Sequence, residues 1–412
     1  MPRKSLIGAL QDRCPYCEGK NIFKKGRRKK KLEIVQLWYC KDCQKVFTPQ
    51  IAKGKTFPLR IILDGLSFYN IGYTLEDSCR FIKEQYGIKV VPTTLSNWVE
   101  EYKDLCKYSR LRNFGLKLFS PNQVIQSISL YHRQIYKFRI HQAKLVLLLN
   151  EDLKNQRFWP LKEFLEAVFA ECPHHLFKES LRISEVGRRS ADIAKLVRPS
   201  PEKVSGSAGI ATSGQPETFS GNAKRGGNIG TGTGYFKFNI GGVLIREKHN
   251  FANRIANLLL QAVKDNKLRH EALQKFMIAN DSVTVATEVP VYLLPEDVEH
   301  MESQLGFEIP VKIDKVLTGH IDLVQIRNGA VHILDYKDRA AKERPIEQLT
   351  LYALGLSRLT GLRLYDFKCG WFDENNYFEF FPLHVVYKLK ERRPRVPKNQ
   401  RKLIEIRKSS IQ

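Results

Sequence analysis

The sequence predicts a multidomain chain: two small N-terminal modules, a helical middle region, and a C-terminal α/β domain built on a central mixed sheet. Three observations predict it. Four cysteines fall in two Cys-x-x-Cys pairs within the first 43 residues, a glycine-rich stretch interrupts the chain at 201–234, and alternating apolar runs flank Asn328-Gly329 before a helical run. With 412 residues the chain has room for two to four separate cores.

The first module covers residues 1–56. Cys14 and Cys17 in CPYC and Cys40 and Cys43 in CKDC are separated by 22 residues, a spacing that suits four thiolates around one tetrahedral zinc ion. Such a site is closed, so zinc here is structural and no catalysis is expected from it. The intervening basic loop, with Arg27, Arg28, Lys29, Lys30 and Lys31 as candidate DNA contacts, feeds an alternating strand as in a zinc ribbon. A module this small has too little core to fold alone, so the metal is expected to supply folding energy.

Residues 57–106 form the second module. Thr74 with Asp77 reads as a helix cap, and Leu75, Cys79, Ile82 and Tyr86 form a helical apolar stripe. Pro92 opens the next helix, where Leu95, Trp98, Val99 and Tyr102 share one face and leave Thr93, Thr94, Ser96 and Asn97 to point outwards. Short polar residues at the start of a recognition helix suit base and phosphate contacts, and the pattern is read as a helix-turn-helix. A three-helix bundle used only for packing is the alternative. Residues 1 to about 106 resemble the DNA-binding N-terminal region of insertion-element transposases. No acidic transposase core follows, so the resemblance implies DNA binding and not transposition.

Residues 107–200 are expected to be helical, without an assigned role. Within YHRQIYKFRIHQAKLVLLL, Arg133, Lys137, Arg139 and Lys144 read as basic chains on an amphipathic helix, their heads in water. Cys172, His174 and His175 in CPHHLF lack a fourth ligand at suitable spacing and are assigned to packing and solvent exposure. Residues 201–234 read as a Gly/Ser-rich linker spanning about 30 Å as a flexible coil, a tether that would let cleavage fall at a range of positions.

The C-terminal domain, 235–387, contains the most informative pattern. Asn-Gly between alternating runs is the strongest short-range sign of a two-residue hairpin turn, and it pairs Val324 with Ile333 and Asp322 with Asp335. Side chains alternate with period two, so Lys337 shares a face with Asp335, opposite His320. Two facing acids are destabilising unless a divalent cation lies between them or one stays protonated. Glu288, on a strand-like run before the hairpin, is either a further acid of the site or solvent-facing. After the hairpin, RPIEQLTLYALGLSRLTG reads as a helix with Gln348 and Tyr352 on one face.

Asp322, then Asp335-x-Lys337, then Gln348-x-x-x-Tyr352 on a helix resembles the RecB-type branch of the PD-(D/E)xK nucleases, which includes the CRISPR-associated exonucleases. The resemblance spans about residues 240–365 and implies a restriction-endonuclease-like fold. It implies that Asp322 and Asp335 hold magnesium or manganese, that Lys337 positions or activates water and offsets charge on the phosphate, and that Gln348 and Tyr352 support the centre and the nucleic-acid strand. The branch also uses a histidine on the first helix of the domain; His249, before the stripe Phe251, Ile255, Leu258 and Leu259, is the candidate. The related CRISPR nucleases carry a cysteine-bound iron-sulfur cluster, but Cys369 is the only cysteine in this half, so no cluster is expected.

The net charge is +25, of which residues 1–60 contribute +12 and the basic tail 388–412 contributes +8. One sign at both ends points to phosphate neutralisation, and DNA is the expected partner. Only the family resemblance favours DNA over RNA. No apolar run reaches membrane-spanning length and no secretory signal opens the sequence, so a cytoplasmic, nucleoid-associated protein is expected. The resulting expectation is a metal-dependent deoxyribonuclease recruited by its N-terminal modules, with a mobile-element or genome-defence setting implied by the two resemblances. A DNA-binding regulator with a silent nuclease fold is the alternative, and the intact Asp322, Asp335 and Lys337 argue against it.

Overall fold

The computed structural model describes residues 13–29, 32, 34–48, 55–105, 109–185, 238, 243–263, 265, 268–309 and 315–387. The 201–234 linker, the basic tail and Lys30 and Lys31 lie outside them. Strands β1 (Ile22–Lys29), β2 (Ile34–Cys40) and β3 (Val46–Phe47) form an antiparallel sheet in that order. Its core is small, with Cys14, Cys40 and Phe47 buried, while Arg27, Arg28 and Lys29 are exposed on β1. Strands and cysteine cluster are together compatible with a zinc ribbon.

Helices α1 (Leu59–Ile71), α2 (Leu75–Tyr86) and α3 (Pro92–Glu101) follow. The Thr74 side chain accepts from the Asp77 N–H at 3.0 Å, and Gly87, at φ 66°, ends α2. Cys79, Ile82, Leu95 and Trp98 are buried between the helices, as their spacing predicts. On α3, Thr93, Ser96 and Asn97 are exposed and Thr94 is half-buried.

The large sheet is mixed, as expected. Its order is β4 (Ile125–His132), β5 (Gln134–His141), β8 (Thr284–Leu293), β9 (Leu317–Arg327), β10 (Ala330–Tyr336), β11 (Phe367–Phe372), β12 (Tyr377–Phe380) and β7 (Arg246–Lys248). The short β6 (Leu181–Arg182) pairs in parallel with β9, and β10 with β11.

This topology corrects the reading of the middle region. Residues 125–141 are a β-hairpin, not a helix, and the hairpin joins the sheet through β5 against β8. Leu130 and His132 alternate inwards with period two at the end of β4, and Phe138 to His141 of β5 are buried on both faces. Lys144, expected in water, is fully buried on the helix Gln142–Glu151; it donates to the Ile278 carbonyl at 2.7 Å and pairs with Asp281 at 3.4 Å.

The sheet is covered on both faces. Helix Ile346–Thr360 packs Leu349, Ala353 and Leu356 into one core. On the other face, helices Phe251–Leu260 and Arg269–Asn280 share a core with α1–α3 that includes Leu66, Leu95, Phe276, Leu323 and Leu334. The tether expectation therefore fails for α1–α3, which are packed directly on the C-terminal domain. A buried polar chain fixes that contact: Asn70 Nδ2 donates to Asn280 Oδ1, and Asn280 Nδ2 donates to Ser67 Oγ, each at 2.8 Å. Asn280→Ala strands buried polar groups on α1 and is expected to lower unfolding stability by about 1–3 kcal/mol, read from denaturant midpoints at constant slope.

Candidate active site

The Asn328-Gly329 turn has φ of 51° and 66°, the left-handed pair that a tight hairpin turn requires. It sets the predicted register, Val324 opposite Ile333 and Leu323 opposite Leu334, so the next positions are Asp322 and Asp335. On the far side of β9, Thr287 pairs with Leu323 and Val289 with Ile321, which brings Glu288 beside Asp322. Three acids thus lie in a row across β8, β9 and β10. Glu288 belongs to the pocket; its backbone is held at φ 52°, and Gln274 Nε2 donates to its Oε1 at 2.7 Å. A left-handed backbone at a non-glycine residue costs on the order of 1 kcal/mol and persists where surrounding contacts over-determine it.

The acids line a cavity of about 180 Å³ with Lys337, His320, Gln348 and Tyr352. Lys337 Nζ is 2.7 Å from Asp335 Oδ2, and Gln348 Nε2 donates to the Tyr352 hydroxyl at 3.2 Å. The five core residues of the predicted motif are therefore brought together. His249 is not: it is exposed between β7 and the helix Phe251–Leu260 and does not line the cavity. The histidine at the acids is His270, at the start of helix Arg269–Asn280, whose Nδ1 donates to Asp322 Oδ2 at 3.3 Å. Its signal was available in the sequence, because His270 and Gln274 are four apart and face Asp322 and Glu288 from one helical stripe.

The described part of the middle region walls the same cavity with His132, Tyr136, Phe177 and Arg182. Tyr136 stacks on His320 at 3.6 Å between centroids. Gly319 is required by close approach. A Cβ there would lie 2.4 Å from the Tyr352 ring. Gly319→Ala must displace Tyr352 or the strand, and is expected to cost about 1–3 kcal/mol and to reduce turnover, measured by thermal unfolding and single-turnover rates.

The electrostatics follow from burial and crowding. Burial and the Asp322 charge push the Asp335 carboxyl up to about 7, and burial with Asp322 pushes Glu288 up to about 8. Burial opposes ionisation of Asp322 too, but the hydrogen bond and charge of His270 hold it below the usual carboxylate range. Against its own burial, His270 is raised by Asp322 to about 9. Lys337, despite burial, is raised by Asp335 and stays a cation rather than a base. Burial and the two aspartates keep the Tyr352 phenol protonated.

Burial and mutual repulsion raise the proton affinity of Asp335 and Glu288 even with Lys337 and His270 beside the row of three carboxylates. Hard oxygen donors in that number fit magnesium or manganese, which would take the place of those protons. Apparent Mn2+ affinity should therefore rise, by roughly tenfold or more, from about pH 6 to about pH 8, as Asp335 and Glu288 lose their protons. Calorimetry in two buffers would also read proton release on binding. At the other end of the chain, Cys14 Sγ is 3.5 Å from Cys43 Sγ and Cys17 Sγ 3.6 Å from Cys40 Sγ, with all four sulfurs within 4.8 Å. Edges near 3.8 Å are expected around a tetrahedral ion at about 2.3 Å, so the four sulfurs fit zinc.

Residues 236–398 match the family model of the PD-(D/E)XK nuclease superfamily, and this part of the chain is a domain of that superfamily. Its members are generally phosphodiesterase nucleases that use magnesium or manganese. No match to a curated protein or to a solved structure was found. Among the described residues, no helix is long and apolar enough to cross a membrane.

Proposed function

We propose that the chain is a metal-dependent deoxyribonuclease that hydrolyses DNA phosphodiester bonds, with DNA delivered by the N-terminal cysteine module and the helices α1–α3. The observation that carries this reading is the row of Glu288, Asp322 and Asp335 with Lys337 2.7 Å from Asp335, inside a superfamily domain of nucleases. Asp322, Asp335 and Glu288 are the ligands assigned to a divalent cation, which when bound supplies Lewis-acid polarisation at the phosphate. His270 orients Asp322 through its hydrogen bond and keeps that carboxylate ionised. Lys337 contributes fixed positive charge where the five-coordinate phosphorus of the transition state builds up negative charge on its oxygens. Tyr352 and Gln348 present neutral hydrogen-bonding groups in the same cavity, suited to the strand being cut. Arg182 adds a further cation to the mouth.

Delivery is supported by Arg27, Arg28 and Lys29 on β1 and by exposed Thr93, Ser96 and Asn97 on α3. The core that α1–α3 share with the helix bearing His270 supports a reading head held close to the acids. Matched DNA and RNA strands, single and double, incubated with the purified chain and Mg2+ test the substrate. DNA cleavage with RNA left intact is expected; cleavage of RNA alone overturns the assignment.

A further inference from the structure

The CPHHLF segment gains in space the partner it lacks in sequence. His132, the last residue of β4, points its Nε2 at His174 Nδ1, 2.8 Å away, and at Cys172 Sγ, 3.9 Å away. One thiol and two imidazole nitrogens thus lie within 4.8 Å of one another, delivered by a strand end and by the turn after the helix Trp159–Glu171. The other nitrogen of His132, Nδ1, is 2.9 Å from His320 Nε2, and its ring stacks on Phe177 at 3.9 Å and 11°. Metal-ligating histidines are oriented in this way, one nitrogen toward the ion and the other held by an outer partner. His132 is buried, Cys172 half-buried and His174 exposed, so the three donors have a closed inner side and an open outer one.

We infer that His132, Cys172 and His174 form a third metal site, selective for a borderline transition ion such as zinc, with its fourth position open to solvent. A thiolate with two imidazoles is the donor set of zinc and not of magnesium or manganese, so this site and the acid row would select different ions. Without metal, one imidazole N–H bridges the two rings at 2.8 Å; with metal that hydrogen shifts to the far nitrogen of its own ring, the Cys172 thiol gives its proton to solvent, and the facing nitrogens move apart to roughly 3.3 Å, as tetrahedral coordination requires. The ion would join the β4 end to the 172–177 turn. Since Phe177 and His320 line the acid cavity, it would fix one wall of that cavity. The inference does not depend on the nuclease reading.

The test is zinc content of the full chain in an Asp335→Asn background, which weakens zinc capture by the acids, after equilibration with zinc chloride and gel filtration. Cys172→Ser and His174→Ala are each expected to lower the content by about one ion per chain, independently of Cys14→Ser, which should remove a different one. His174 is exposed, so its replacement leaves the fold intact, checked by an unchanged unfolding transition. Unchanged zinc content in both Cys172→Ser and His174→Ala, whatever the N-terminal cysteines hold, overturns the site and leaves only a hydrogen-bonded chain of imidazoles.

Discussion

Asp335→Ala should abolish both Mn2+ binding and DNA cleavage, whereas Lys337→Ala should keep Mn2+ binding and still lose cleavage by about a hundredfold to a thousandfold. The split follows from the geometry. Asp335 ends the acid row on β10, with Lys337 at 2.7 Å on one side and Asp322 crowding it on the other. Removing it takes a ligand away and leaves Lys337 buried without its counter-charge. Lys337 instead holds charge that matters most when the phosphate becomes more negative, so its loss falls on turnover and not on cation affinity. Mn2+ titration followed by electron paramagnetic resonance, alongside single-turnover kinetics, separates the two.

Cys14→Ser has the largest expected effect on folding. The N-terminal sheet buries little besides Cys14, Cys40 and Phe47, so its stability depends on the ion, and structural zinc contributes about 10–16 kcal/mol of coupled binding and folding in small domains. Loss of one zinc per chain, unfolding of residues 13–48 seen by hydrogen exchange, and weaker, less salt-sensitive DNA binding are expected together. The shared core around Leu66 and Phe276 should survive, because it holds no ligand of that ion.

What was legible in the sequence is what is local. Asn328-Gly329 fixes its own turn, the turn fixes the register, and the register places Asp322 against Asp335 without reference to the rest of the chain. Gln348 and Tyr352 were legible because four residues make one helical turn. The cysteine spacing likewise anticipated four converging sulfurs. The β4–β5 hairpin was missed because Arg133, at φ 61°, makes its turn where glycine or asparagine would have announced one. His270 and His132 depend on long-range packing: one comes from a helix 52 residues before Asp322, the other from a strand 188 residues before His320. His249 was favoured because it immediately precedes a clear apolar helix, yet strand β7 and the cap at Asn250 leave it at the surface. The docking of α1–α3 was hidden for the same reason, since Asn70 and Asn280 are ordinary polar residues until they meet.

The most direct test of the central claim is single-turnover cleavage of a labelled DNA duplex by the full chain in Mg2+, in Mn2+ and in excess chelator, with Asp335→Ala run in parallel. Cleavage in either metal, absent in chelator and absent in Asp335→Ala, is the predicted result. No cleavage in any metal, or cleavage that persists in chelator and in Asp335→Ala, would contradict it.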